Sequence, residues 1–155
     1  MRNALVWLYV SVIVVIVDQW SKWMVIDHLL PGDVVHWLPF FNIQLAFNSG
    51  SAFSFLSDAA GWQIPVFAAI AVTVVLILIL WLARIRRNQY VLASALSLII
   101  GGAIGNLIDR LRLSYVVDFF DFHIYGWHFA TFNVADAAIS VGAVLLLLSW
   151  LSEDR

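Results

Sequence analysis

Four apolar stretches, each near the roughly 20 residues needed to cross a bilayer, constrain this chain more than any other feature. They cover about 4–26, 62–82, 90–107 and 134–151. Of the 155 residues, 63% are hydrophobic and 12% charged, where a soluble domain is about half apolar and a quarter charged. A soluble core this small has no room for so much apolar surface, so lipid must be the solvent. The expected fold is integral membrane and all-α: one domain over 1–155, with four transmembrane helices and outer segments at about 27–61 and 108–133. The first 17 residues imitate a secretory signal, with Arg2 ahead of an apolar run. No small-x-small cleavage site follows, and the run meets Asp18, Gln19 and Lys22 instead. It is therefore expected to stay as the first span.

Basic residues orient the spans. Arg2, Arg155 and the link carrying Arg84, Arg86 and Arg87 are expected in the cytoplasm, since no basic residue lies between Lys22 and Arg84. The segments 27–61 and 108–133 then face outward, with Arg110 and Arg112 as a mild exception. Tryptophans such as Trp20, Trp23, Trp37, Trp62 and Trp127 fall mostly where membrane interfaces are expected. The first outer segment alternates as strands do, in Val34–Leu38 and again in 41–45, with Asn48-Ser49-Gly50 as a turn. A small sheet between the first two spans, on the membrane surface, is expected. The second outer segment, 115–132, is rich in aromatic residues and reads as a loop partly sunk in the interface. In span three, Ala93, Ser97, Gly101 and Gly105 recur every four residues, which lets another helix approach closely.

Ionisable groups at membrane depth are costly and tend to mark function. Here they gather at one end: Asp18 and Lys22 late in span one, Asn106, Asp109 and Arg110 late in span three, Asn133 and Asp136 opening span four, and Asp118 between. Each has an ordinary reading. Asp18 and Lys22, four apart, make a local ion pair. Arg110 reaches the headgroups. Asn133 and Asp136 cap a helix reciprocally. Asp118, between Val116-Val117 and Phe119-Phe120, is harder to dismiss, because a carboxylate in an apolar run needs a partner or a raised pKa.

Several chemistries drop out. The chain has no cysteine, which removes disulfides, thiolate metal sites and cysteine nucleophiles. It has no His-Glu-x-x-His and no Gly-x-Ser-x-Gly. His28, His36, His123 and His128 lack ligand spacing, so no metal is expected. The net charge of −2 and the absence of a basic block give no sign of nucleic acid. A carrier needs groups near the midplane, and the span centres are almost free of charge. What remains for cleaving an amide is a carboxyl pair sharing one proton, in which the ionised partner activates water and the protonated one polarises the carbonyl. Asp118 and Asp136 are the available pair, although spacing alone does not bring them together. The competing class is a membrane assembly factor whose polar cluster is only an ion-paired knot.

Five motifs then occur in order: Asp18-Gln19-Trp20-Ser21-Lys22; Asn48-Ser49-Gly50-Ser51-Ala52-Phe53; Gly101-Gly102-Ala103-Ile104-Gly105-Asn106-Leu107-Ile108-Asp109-Arg110; Val116-Val117-Asp118-Phe119; and Phe132-Asn133-Val134-Ala135-Asp136. Together they resemble the lipoprotein signal peptidases, the type II signal peptidases of bacteria, over nearly the whole chain. The resemblance implies an aspartic endopeptidase of the bacterial inner membrane. Such an enzyme removes the signal peptide from diacylglyceryl-modified prolipoproteins, cutting before the lipidated cysteine, without a cofactor and with sensitivity to globomycin. It implies that Asp118 and Asp136 are catalytic. Asn48, Gly102, Asn106, Arg110, Asn133 and Ala135 would line or support the site, with Asp18 and Lys22 as a structural polar pair. A lid-like aromatic loop matches 115–132. Membrane lipids are the expected surroundings, and a monomer suffices because no span lacks an internal partner.

Overall fold

The computed structural model describes residues 4–49 and 62–153. Gly50 of the expected turn and residues 51–53 of the second motif lie outside the described residues, as do Arg2 and Arg155. After a short 3-10 turn (Ala4–Trp7) come helix α1 (Leu8–His28), strands β1 (Val34–Leu38) and β2 (Phe41–Asn48), helices α2 (Gln63–Arg84) and α3 (Tyr90–Leu113), strands β3 (Val116–Ile124) and β4 (Trp127–His128), and helix α4 (Val134–Glu153). All four helices are long and apolar enough to span a membrane. Their outward side chains, such as Val12 and Ile16 on α1, Leu76 and Leu80 on α2, and Val144 and Leu148 on α4, are apolar. That is what a lipid-facing surface requires.

Helix α3 is the most buried of the four. It packs on α1, α2 and α4. Lipid tails are as apolar as leucine, so helix association here depends on close packing and hydrogen bonds rather than on hydrophobic transfer. The sequence supplies both. The buried face of α1 is Ser11, Val14, Asp18 and Lys22, at spacings of three and four. Against it lies the small-residue row of α3. Ser11 Oγ donates to the Ser97 carbonyl at 2.7 Å, and a Cβ on Gly101 would sit 2.8 Å from Val14 Cβ. On the other flank, a Cβ at Gly102 would run into the Ala135 carbonyl and come within 2.7 Å of Ile139 Cγ1. At the end away from the sheet, Leu78, Leu82, Leu92, Leu96 and Ile100 form an apolar cluster.

Helix α3 extends to Leu113, beyond the expected end near 107. Asn106 and Asp109 read as the exit from the bilayer, yet both are buried and paired inside the bundle, so the helix continues through them. It stops where Ser114 turns left-handed, at φ 66°.

The expected sheet is present, and it is larger than the first outer segment alone. Its order is β1-β2-β3-β4, all antiparallel, so the strands after α3 complete the hairpin made before α2. The segment 115–132 is therefore mostly sheet, not loop. Its strand signal was masked because residues 116–119 are all buried, which erases the period-two alternation that marks a strand with one wet face. Tyr125 and Gly126, both with positive φ, close the β3–β4 hairpin in two residues.

Candidate active site

The polar residues converge where the sheet meets the helix ends. Helix α4 supplies the platform. Asn133 is its N-cap: Asn133 Oδ1 accepts from the Asp136 N–H at 2.9 Å, and Asp136 Oδ2 accepts from the Asn133 N–H at 3.2 Å. This is the reciprocal cap expected from the sequence. Asp18 reaches across from α1 to accept from the Ala135 N–H at 2.9 Å. A carboxylate at a helix N-terminus also meets the positive end of the dipole. Ala135 is fully buried, and its Cβ lies 3.3 Å from where a Cβ on Gly105 would be. A larger side chain at either position would push these helices apart.

Capping leaves Asp136 Oδ1 available, and Asn106 Nδ2 donates to it at 2.8 Å. Asp118, 3% exposed on β3, accepts from Asn133 Nδ2 at 2.7 Å and from Asn48 Nδ2 at 3.1 Å. Asn133 thus bonds both aspartates, one through its side chain and one through its backbone. Burial, and then the neighbouring Asp136 charge, raise the Asp118 pKa to about 7, against the opposing pull of the Asn48 and Asn133 hydrogen bonds and of Lys22. The structure brings together Asn48, Asn106, Asp118, Asn133 and Asp136. Gly102 and Ala135 lie behind them, as the contact between α3 and α4.

Lys22 forms more than a local pair. Its ammonium is buried, 2.9 Å from Asp18 Oδ2, 2.8 Å from Asp109 Oδ2 and 3.0 Å from Asn106 Oδ1. Because Lys22 only donates, Asn106 must present its oxygen to Lys22 and its NH₂ to Asp136. Two residues that sequence reasoning left without a role complete the knot. Gln19 Nε2 donates to Asp109 Oδ1 at 2.8 Å, and Asp109 Oδ2 accepts from the Val117 N–H at 3.1 Å, one residue before Asp118. Asp109 tethers β3 to α3. The signal for it was its place three residues after Asn106 in the same motif.

An apolar groove of about 680 Å³ runs between α2 and α4, with Phe67, Val74, Ile99 and Ile139 among its walls. Asn106, Arg110 and Asp136 line it as well. Arg110 stays in the groove rather than leaving for the headgroups: its guanidinium carbon lies 5.5 Å from the centre of the Phe67 ring, a cation–π contact that joins α3 to α2.

Comparison with known proteins identifies the family. The family model for signal peptidase (SPase) II matches residues 10–152. The lipoprotein signal peptidase of Coxiella burnetii is 55% identical over 150 residues, covering 97% of this chain and 92% of that protein. The chain belongs to the signal peptidase II family. A second family member, the lipoprotein signal peptidase of Acinetobacter baylyi, is 50% identical over 144 residues, covering 93% of this chain and 80% of its own. A bacterial membrane enzyme solved at 2.3 Å matches with a TM-score of 0.88 at 30% identity, over 100% of this chain and 94% of that one. As a member of this family the chain is a membrane-embedded peptidase of the aspartic type, which agrees with a carboxyl pair at the end of a groove.

Proposed function

We propose that Asp118 and Asp136 are the catalytic dyad of a signal peptidase that cleaves diacylglyceryl-modified prolipoproteins before the lipidated cysteine. The observation that carries this reading is Asn133, which hydrogen-bonds both carboxyls beside a groove able to take a lipid-embedded helix. Asp118, with its pKa raised to about 7, holds the shared proton and polarises the scissile carbonyl. Asp136 takes the proton from the attacking water. As the tetrahedral intermediate collapses, the nitrogen of the lipidated cysteine accepts a proton, the C–N bond breaks, and the signal peptide leaves as a carboxylate. Asn48, Asn106 and Asn133 hold the carboxyls, and Arg110 meets substrate carbonyls or the ester region of the lipid. Gly102 and Ala135 set the α3–α4 spacing, while Asp18 and Lys22 support the platform.

The same reading puts a monomer with a single peptidase domain in the bacterial inner membrane, both termini in the cytoplasm and the sheet at the periplasmic face. Acyl chains of the substrate then share the bilayer with the groove, and the scissile bond lies at the depth of the dyad. The test is cleavage of lipidated and unlipidated prolipoprotein by wild type, Asp118→Asn and Asp136→Asn. The expected outcome is cutting of the lipidated form by wild type only, with both variants inserted and folded. Near-normal processing by either variant removes the dyad assignment and favours the assembly-factor reading.

A further inference from the structure

A single strap separates the groove from a second cleft. The chain leaves β4 at His128. Phe129 N–H still donates to the Phe122 carbonyl at 2.8 Å, and Phe132 then rejoins β3 by exchanging hydrogen bonds with Phe120. Three steps along the strap, 129 to 132, cover only two along β3, so Ala130 and Thr131 arch away. Among the described residues their backbone groups make no hydrogen bond. Phe129, Ala130 and Thr131 line both the apolar groove and a cleft of about 400 Å³ on the sheet side. Of the dyad, Asp136 lines the groove and Asp118 lines the cleft.

The cleft is polar where the groove is apolar: Gln44, Asn48, Asp121, His128 and Thr131 line it with Asp118. Strict alternation would turn Asp118 and Asp121 to opposite faces of β3. The N–H groups of both Phe119 and Phe120 point at the Phe132 carbonyl, at 3.1 and 2.8 Å. Two residues against one is a β-bulge, which re-aims side chains and brings both aspartates to the same cleft. Asp121 is 1% exposed. It accepts from Asn42 Nδ2 at 2.9 Å, and both its oxygens lie 2.9 Å from His128 Nδ1, at the root of the strap. Asn42 in turn faces His36, and Thr131 is tied down by Gln44 Nε2 at 3.0 Å. Proton transfer at the dyad uses none of these groups, yet a buried carboxylate is costly unless paired.

We propose that the sheet-side cleft seats the extended peptide that follows the scissile bond, and that the Asp121–His128 latch fixes the strap forming its wall. The proposal rests on the dyad reading of Asp118 and Asp136. A bond cut between the two carboxyls has the signal helix on the groove side, so the chain beyond it emerges past Asp118 into the cleft. There, polar side chains and the unpaired backbone of Ala130 and Thr131 suit main-chain recognition of an extended segment. Asp121 and His128 act as positioning residues.

The test uses two lipidated peptides identical up to the scissile bond, one ending at the lipidated cysteine as an amide and one continuing for several uncharged residues. Wild type is expected to favour the longer peptide in kcat/KM by roughly tenfold, the scale of a few hydrogen bonds. Asp121→Asn and His128→Phe should remove most of that preference through KM, with kcat much less affected. His128→Gln, which keeps an N–H donor, should restore much of it. Thr131→Val frees the other tether without disturbing the buried carboxylate, and should lower the preference even if Asp121→Asn fails to fold. A wild type indifferent to length overturns the proposal, as do variants that lose equally on both peptides or keep the full preference. Activity surviving in Asp118→Asn would instead count against the dyad reading, a separate outcome.

Discussion

Two pairs of aspartates sit at the same end of this bundle, and their surroundings differ in one respect. Asp18 and Asp109 share the Lys22 ammonium at 2.9 and 2.8 Å. Asp118 and Asp136 are met by amides of Asn48, Asn106 and Asn133. A buried cation ties its carboxylates together and makes them part of the frame, here joining α1 to α3. Neutral amides orient carboxylates without supplying a counter-charge, as the proposed dyad requires. Lys22 also connects the two pairs through Asn106.

The contrast breaks most sharply in turnover. Asp118→Asn and Asp136→Asn are expected to lower cleavage by roughly 10²–10⁴-fold or more, with melting temperatures near wild type. Lys22→Met should do the reverse, leaving two buried carboxylates unpaired and costing about 3–5 kcal/mol, read as a large fall in melting temperature in detergent. A Lys22→Met protein that melts like wild type would erase the distinction between frame and dyad. Asn133→Ser keeps a capping oxygen but is too short to reach Asp118. Loss of the Asn133 Nδ2 hydrogen bonds to Asp118, Asn106 and the Val117 carbonyl, about 0.5–1.5 kcal/mol each, should reduce kcat by roughly ten- to a hundredfold while α4 stays capped.

The smallest effect is in pH. The Asp118 pKa is raised to about 7, so its proton is present below that pH and is lost as pH rises through it. The rate of the chemical step should therefore fall above about pH 7, by no more than about tenfold per unit. A flat profile from pH 5 to 10 would sharpen the comparison the other way, leaving no titration to set Asp118 and Asp136 apart.

The spans were legible because lipid imposes a length and a composition that no soluble fold needs. Asp136 was legible as a cap, and the structure has that cap. Its second oxygen, bonded to Asn106, could not be read from the local pattern. The ion pair of Asp18 and Lys22 was visible at a spacing of four, but its extension to Asp109 spans 87 positions, and no local periodicity encodes it. The end of α3 was misjudged because hydropathy reads Asn106 and Asp109 as wet when the fold buries them. Strand β3 was hidden because burial on both faces removes alternation.

By itself, then, the sequence determined that the chain lives in lipid, that its polar residues gather at one end of four helices, and that two aspartates were the available hydrolytic pair. Only the tertiary structure decided which carboxylates face a cation and which face amides, and that the strands after α3 complete the sheet begun before α2. Local pattern records what each element buries. A polar site depends on which elements meet, and here that is set by Gly102 and Gly105, which let α3 approach α4 and α1 closely enough for Asn106, Asn133 and Asp18 to reach their partners.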